Sequence, residues 1–253
     1  MGKVFAITNQ KGGVGKTTTT VNLGACLAAM GKKVLLIDID PQGNATSGLG
    51  IIKNDVQGEM YNVLIKDAPI EEVILPTSRE NLFIAPSTLD LSGAELELAQ
   101  LMARESRLKK ALEKVREEYD YILIDCPPAL NLFTINAFTA CDGLLIPVQT
   151  EYYALEGLSQ LMKTLEMVRK HSNSKLKIDG VLLTMFDRRT NLGSEVYDRV
   201  RTMFNERVYT AFIRRNVALA SAPSHGLPII DFAPESTGAE DYTALAKEVI
   251  ARG

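Results

Sequence analysis

Residues 11 to 18 read Lys-Gly-Gly-Val-Gly-Lys-Thr-Thr, and their types and spacing suit one chemistry, the holding of a nucleotide triphosphate. Gly12, Gly13 and Gly15 permit a tight turn that brings several backbone N–H groups onto phosphate oxygens with no Cβ in the way. Val14 and Thr18 complete that cradle. Lys16 opens a helix whose N-terminus favours negative charge, so loop, dipole and ammonium act on the same phosphates. Thr17 supplies the hydroxyl for Mg²⁺. The ordinary phosphate loop has a glycine where this chain has Gln10. The variant carries a second lysine instead, Lys11. On chemistry alone Lys11 is equally a group placed where leaving charge develops and a solvated loop residue.

Carboxylates complete the candidate site. After the apolar run Val34-Leu35-Leu36-Ile37 come Asp38-Ile39-Asp40-Pro41-Gln42-Gly43-Asn44, and after Tyr121-Ile122-Leu123-Ile124 comes Asp125. Strand alternation puts Asp38 and Asp40 on one side at a carboxyl end, near the phosphates. A carboxylate there holds the magnesium hydration shell or orients an attacking water. An acid closing an apolar strand is also how phosphate-loop enzymes reach Mg²⁺. Asp38, Asp125 and Thr17 are therefore the metal candidates, and Lys16 and Asp40 the catalytic ones.

The elements that must position these groups are legible as alternation. Apolar strand candidates at 3–8, 33–38, 82–85, 121–125, 143–148, 178–184 and 208–213 are separated by helical stretches. That pattern predicts an α/β fold of three layers, a mostly parallel twisted sheet with helices on both faces, as one domain over 1–253. Leu155, Leu158, Leu161, Met162, Leu165 and Val168 form one buried helical stripe, and Leu101, Leu108, Leu112 and Val115 another.

Composition excludes several classes. The 253 residues carry a net charge of −3, so nucleic-acid binding needs a local basic patch. Cys26, Cys126 and Cys141 show no CxxC spacing, and only His171 and His225 offer imidazole, which argues against a disulfide framework and a zinc site. There is no charged-then-apolar leader, and no apolar run approaches the roughly 18–20 residues that span a bilayer. The chain is expected to be cytoplasmic.

Together these residues resemble the ParA-type partition ATPases, on the chromosomal Soj branch, within the wider group that holds MinD and the nitrogenase iron protein. The resemblance covers nearly the whole chain. It rests on Lys11 to Thr18, Asp38 to Leu49, Asp125-Cys126-Pro127-Pro128, Glu151 to Gly157, and Ala222-Pro223-Ser224-His225-Gly226. It implies ATP and Mg²⁺ as cofactors and a homodimer formed on ATP binding, with Lys11 reaching the partner subunit's nucleotide. It further implies that Asp40 is needed for slow hydrolysis, that Gly12 lies where bulk would obstruct the dimer, and that Asn216 sits near the base. The expected partners are non-specific DNA and a ParB-type protein, which associates the molecule with the nucleoid.

DNA binding is the implication that this sequence tests most directly. From Arg188 to Arg215 seven arginines face three acids, a local +4, which suits phosphate contacts. Arg189 matches a residue the family uses on DNA, and Arg214 and Arg215 add to the patch. Against this, Ala218 stands where relatives carry an arginine, Ser221 for glutamate, Leu227 for lysine, Glu235 and Thr237 for basic residues, and Arg214 for a proline. DNA affinity weaker than that of relatives is expected.

Other readings differ in cargo or class. A ParA-like ATPase can position other cargoes. A MinD-like membrane switch needs a basic amphipathic tail, whereas Tyr242 to Arg252 has two basic residues and one acid and reads as a packing helix. An iron–sulfur reductase needs cysteines around a symmetric cluster, and Cys126 and Cys141 do not match.

Overall fold

The computed structural model describes residues 2–150, 156–187 and 190–253. The first half contains β1 (Lys3–Ile7), α1 (Lys16–Ala29), β2 (Val34–Asp38), α2 (Asn44–Gly48), α3 (Met60–Leu64), β3 (Leu75–Pro76), β4 (Leu82–Ala85), α4 (Ala94–Gln100) and α5 (Arg107–Leu112). The second contains β5 (Tyr121–Asp125), α6 (Leu132–Ala140), β6 (Gly143–Gln149), α7 (Glu156–His171), β7 (Lys177–Thr184), α8 (Asn191–Phe204), α9 (Val217–Ser221), α10 (Ile229–Phe232) and α11 (Thr237–Ala251).

The strands form one sheet in the order β3-β4-β2-β5-β1-β6-β7, parallel except for the short edge strand β3. Alternation along each strand sends side chains to opposite faces. Val4, Leu35 and Ile122 join a core with α3 to α8, while Phe5, Leu36 and Leu123 join a second core with α1 and α11. Because both faces are covered, the central strands read as continuous apolar runs. The three-layer α/β expectation holds.

Two local expectations fail. Residues 208–213 are not a strand: they touch β7 through a single bridge at Val208, with Tyr209 N–H donating to Val181 O and Ile213 N–H to Leu183 O, and Arg214 bridges Phe186 just past β7. Val208, Tyr209 and Ile213 are buried and Ala211 and Phe212 half-buried, but the chain pairs only intermittently. The stripe from 101 to 115 is not one helix either. Leu101 ends α4, and Ala103 adopts φ 53°, a left-handed turn that breaks the run before α5.

The stripe of α7 buries Leu158, Leu161, Leu165 and Val168 as expected, while Leu155 lies outside the described residues. In α11, Tyr242, Leu245, Ala246 and Val249 are buried in the α1 layer. The tail is a packing helix, and no described helix is long and apolar enough to cross a membrane. Nearby, the turn ending at Gly226 (φ 64°) lies against the end of α2. A Cβ on Gly226 would stand 2.5 Å from Gly50 Cα, so main chain rests directly on main chain.

Candidate functional site

β1 delivers the chain to the phosphate loop between its neighbours β5 and β6. Gly13 and Gly15 take φ 74° and 90°, left-handed conformations that a side chain would strain. Gly12 is different, since a Cβ there would meet nothing within 4 Å. The loop is tied down at several points. Asn9 Nδ2 donates to Pro147 O (2.7 Å), Asn9 Oδ1 accepts from Lys11 N (3.0 Å), and Thr184 Oγ1, at the end of β7, donates to Val14 O (2.8 Å).

The N-terminus of α1 has no side-chain cap and no acid in its first turn. Its leading N–H groups and positive dipole end are thus left for an anion. Lys16 is 7% exposed, and its Nζ donates to Lys11 O at 3.1 Å. Burial lowers its pKa, while the nearby Asp125 charge works in the other direction. Lys11 itself is half-buried beside it.

The carboxylates lie one and two strands away from β1, on β5 and β2. Asp38 and Asp125 end β2 and β5 in register, and both are completely buried. Thr17 Oγ1 donates to Asp125 Oδ2 (2.7 Å), and Thr20 Oγ1 donates to Oδ1 (3.0 Å). Asp38 accepts from Asp40 N on one oxygen and from Thr46 N and Oγ1 on the other (2.9 and 2.8 Å). Burial pushes both carboxyls above the ordinary range; the Asp38 charge adds to the rise at Asp125, and the Thr46 bonds restrain it at Asp38. Asp40, 7% exposed, has Oδ1 accepting from Gln42 N at 3.0 Å.

This donor set is all oxygen, the chemistry Mg²⁺ prefers, and two buried carboxyls carry an electrostatic need for a cation. Among the described residues no group of three or more His, Cys, Asp or Glu could hold a metal ion by itself. A metal held by Thr17 and one carboxylate would keep waters and phosphate oxygens in its remaining positions. Asp38, with both oxygens engaged, shapes the Asp40 segment as much as it could face a metal.

Beside the loop is a cavity of about 200 Å³ lined by Gly15, Thr18, Thr184, Ile213, Asn216 and Tyr242, among others. Its walls are mainly apolar, as a nucleobase requires. Asn216 caps α9 by accepting from Leu219 N (3.2 Å) and donates to Thr237 Oγ1 (2.7 Å), so its amide is spent on holding the wall. Met185, another lining residue, adopts φ 51°, a left-handed conformation stored at this site.

The basic candidates separate. Arg189 lies outside the described residues. Arg214 folds onto α11, with Nε on Asp241 (3.0 Å) and Nη2 on Asp241 (2.6 Å) and Glu240 (3.0 Å). Its charge is thereby matched by two carboxylates. Arg215 is exposed.

Thr20, Thr46, Asn9 and Thr184 escaped sequence reasoning. Only Thr20 left a signal, since its spacing of three from Thr17 places both on one helix face. Thr46 and Thr184 act across the fold.

The chain is similar to known proteins over its length. A family model described as an AAA domain matches residues 2–178. The sporulation initiation inhibitor protein Soj of Bacillus subtilis is 62% identical over 253 residues, all of both chains. The chromosome-partitioning ATPase Soj of Treponema pallidum is 48% identical over 252 residues, 100% of this chain and 98% of that one. The crystal structure of cobyrinic acid a,c-diamide synthase from Mycobacterium smegmatis with bound ADP and magnesium shares 34% identity at a TM-score of 0.87, covering 99% of this chain and 94% of that one. Sequence identity over the full length and a shared fold agree: the chain belongs to the Soj/ParA family of chromosome-partitioning ATPases.

Proposed function

We propose that the chain, as one ATPase domain, is an ATP-dependent dimerisation switch with slow hydrolysis, acting with DNA and a ParB-type partner in chromosome or plasmid segregation. The observation that carries this is the uncapped start of α1 under a glycine loop, with Lys16 buried beside it and Thr17 bonded to Asp125. Backbone N–H groups 12 to 18 and Lys16 hold the β and γ phosphates. The apolar cavity walled by Asn216 and Tyr242 takes the base. Mg²⁺, when bound with ATP, neutralises phosphate charge, and Thr17, Asp125 and Asp38 are the residues to hold it or its waters. Asp40 orients the attacking water, since phosphoryl transfer asks the protein mainly for positioning and charge.

Lys11 reaches the partner subunit's nucleotide in the ATP dimer. The open space around Gly12 within the monomer supports this arrangement, since bulk there would act on something outside the monomer. The exposed Arg215, with Arg189, supplies non-specific DNA contacts that place the dimer on the nucleoid within the cytoplasm. A membrane-surface role is disfavoured by α11, whose apolar side is already buried.

Size exclusion with ATP of Asp40→Ala, with and without Lys11→Ala, tests the switch. Asp40→Ala is expected to accumulate as a dimer and the double variant to stay monomeric while still binding ATP. A double variant that dimerises refutes the cross-subunit role. Lys16→Ala should lose ATP binding altogether.

A further inference from the structure

The Asp40 carboxylate is fixed by the turn that follows it. Gln42 N–H donates to Asp40 Oδ1 (3.0 Å), and Gly43 N–H donates to Asp40 O (2.8 Å). The turn is gripped from two sides. On one side is Ser87, after β4: its O would lie 2.4 Å from a Cβ on Gly43, and its N–H donates to Thr46 Oγ1, itself bonded to Asp38. On the other side is a single side chain, Lys53, whose Nζ donates to Gln42 O. Its Cε would stand 2.8 Å from the same Cβ. Gly43 has φ 57°, so the turn combines a left-handed residue with contacts on both flanks.

Lys53 comes from a short 3₁₀ turn, Lys53–Asp55, and is half-buried. Its partner is a carbonyl rather than a carboxylate, a charge-assisted bond stronger than a neutral one. The bond also polarises the Gln42 peptide. Its far side forms part of an open cavity of about 640 Å³, with Glu59, Tyr61, Lys66, Thr88 and Asp90 around it. Nothing else among the hydrogen bonds described holds the Gln42 carbonyl. Losing the lysine would free the outer flank of the turn and leave Asp40 Oδ1 with a donor that can drift.

We propose that Lys53 is a positioning residue for hydrolysis, setting the Asp40 carboxylate through the main chain of Gln42. This rests on the role given to Asp40 above. Because Lys53 does not line the phosphate loop or the base cavity, its removal should reach turnover and spare binding. Small misplacements of a group that orients a reactant are costly to rate.

The test measures ATP turnover and ATP affinity of Lys53→Met and Lys53→Arg beside Asp40→Ala and the unaltered protein. Lys53→Met is expected to lower kcat about 10-fold with KM and nucleotide Kd within about twofold, and Lys53→Arg, which keeps a cationic donor, to recover most of it. Hydrogen exchange at the Gly43 amide should quicken in Lys53→Met and return in Lys53→Arg. Unchanged turnover in Lys53→Met with inactive Asp40→Ala overturns the lysine's role alone. A parallel loss of affinity and turnover, or no rescue by arginine, overturns it as well and marks Lys53 as a folding residue. An Asp40→Ala protein that turns over normally overturns the reading beneath it.

Discussion

Asp38 and Asp125 sit opposite one another at the carboxyl ends of neighbouring parallel strands, both completely buried, and Thr17 and Thr20 donate to the second of them. Two acids so placed oppose each other's ionisation, and burial opposes both.

The first consequence is a pH dependence of stability. A carboxyl whose folded-state pKa is raised contributes stability that is full below the ordinary carboxylate range and is lost as pH climbs through the raised value. Without Mg²⁺ and nucleotide, the melting temperature is expected to fall from about pH 5 towards about pH 8. Asp125→Asn should flatten that slope, and Mg²⁺ with ATP should reverse it near neutrality. Calorimetry across this range decides it, and a melting temperature that climbs steadily towards pH 8 in the bare protein would contradict the sign.

Thr20 is the second test. Thr20→Val keeps the shape but strips one hydrogen-bond partner from the buried Asp125 carboxyl, at a cost of about 1–3 kcal/mol. For a chain of this size that is a fall of roughly 2–4 °C per kcal/mol. Thermal denaturation at neutral pH should show it, whereas Thr18→Val, on a half-buried side chain, should change stability far less.

Arg214 and Arg215 are neighbours with different expected roles. If the proposed DNA binding holds, Arg215→Ala should weaken retention on DNA and reduce its salt slope by about 1, because its exposed guanidinium can reach a phosphate. Arg214→Ala should act on stability instead, since it leaves the nearly buried Asp241, which is 7% exposed, with the main-chain N–H of residue 214 (2.8 Å) but without its guanidinium partner. The arginine is itself 41% exposed, so the loss should be about 1–2 kcal/mol, below that of a fully buried pair. Equal losses of DNA affinity at low and high salt in the two variants would erase the distinction.

What could be read from the sequence follows how local each feature is. The phosphate loop was legible because its glycines, lysine and threonine act within eight residues, and Asp125 because an acid ending an apolar strand is conspicuous. Lys53, Thr46 and Thr184 were not, because each reaches its partner across the fold and none has a residue type that announces it. The run at 208–213 has the composition of a strand, yet Tyr209 and Ile213 bond β7 four residues apart with nothing regular between. Composition reports burial there, and burial alone does not make a ladder. The stripe from Leu101 to Val115 was broken by the left-handed turn at Ala103, a residue with no propensity for it.

The contact of Gly226 with Gly50 has a mechanical meaning. A joint made of two backbones has no side chain to rotate away and no slack to absorb displacement. Residues 222–226 and the end of α2 are therefore expected to move together. Since α2 begins directly after the turn that carries Asp40, this joint ties that turn to the segment leading into α10 and α11.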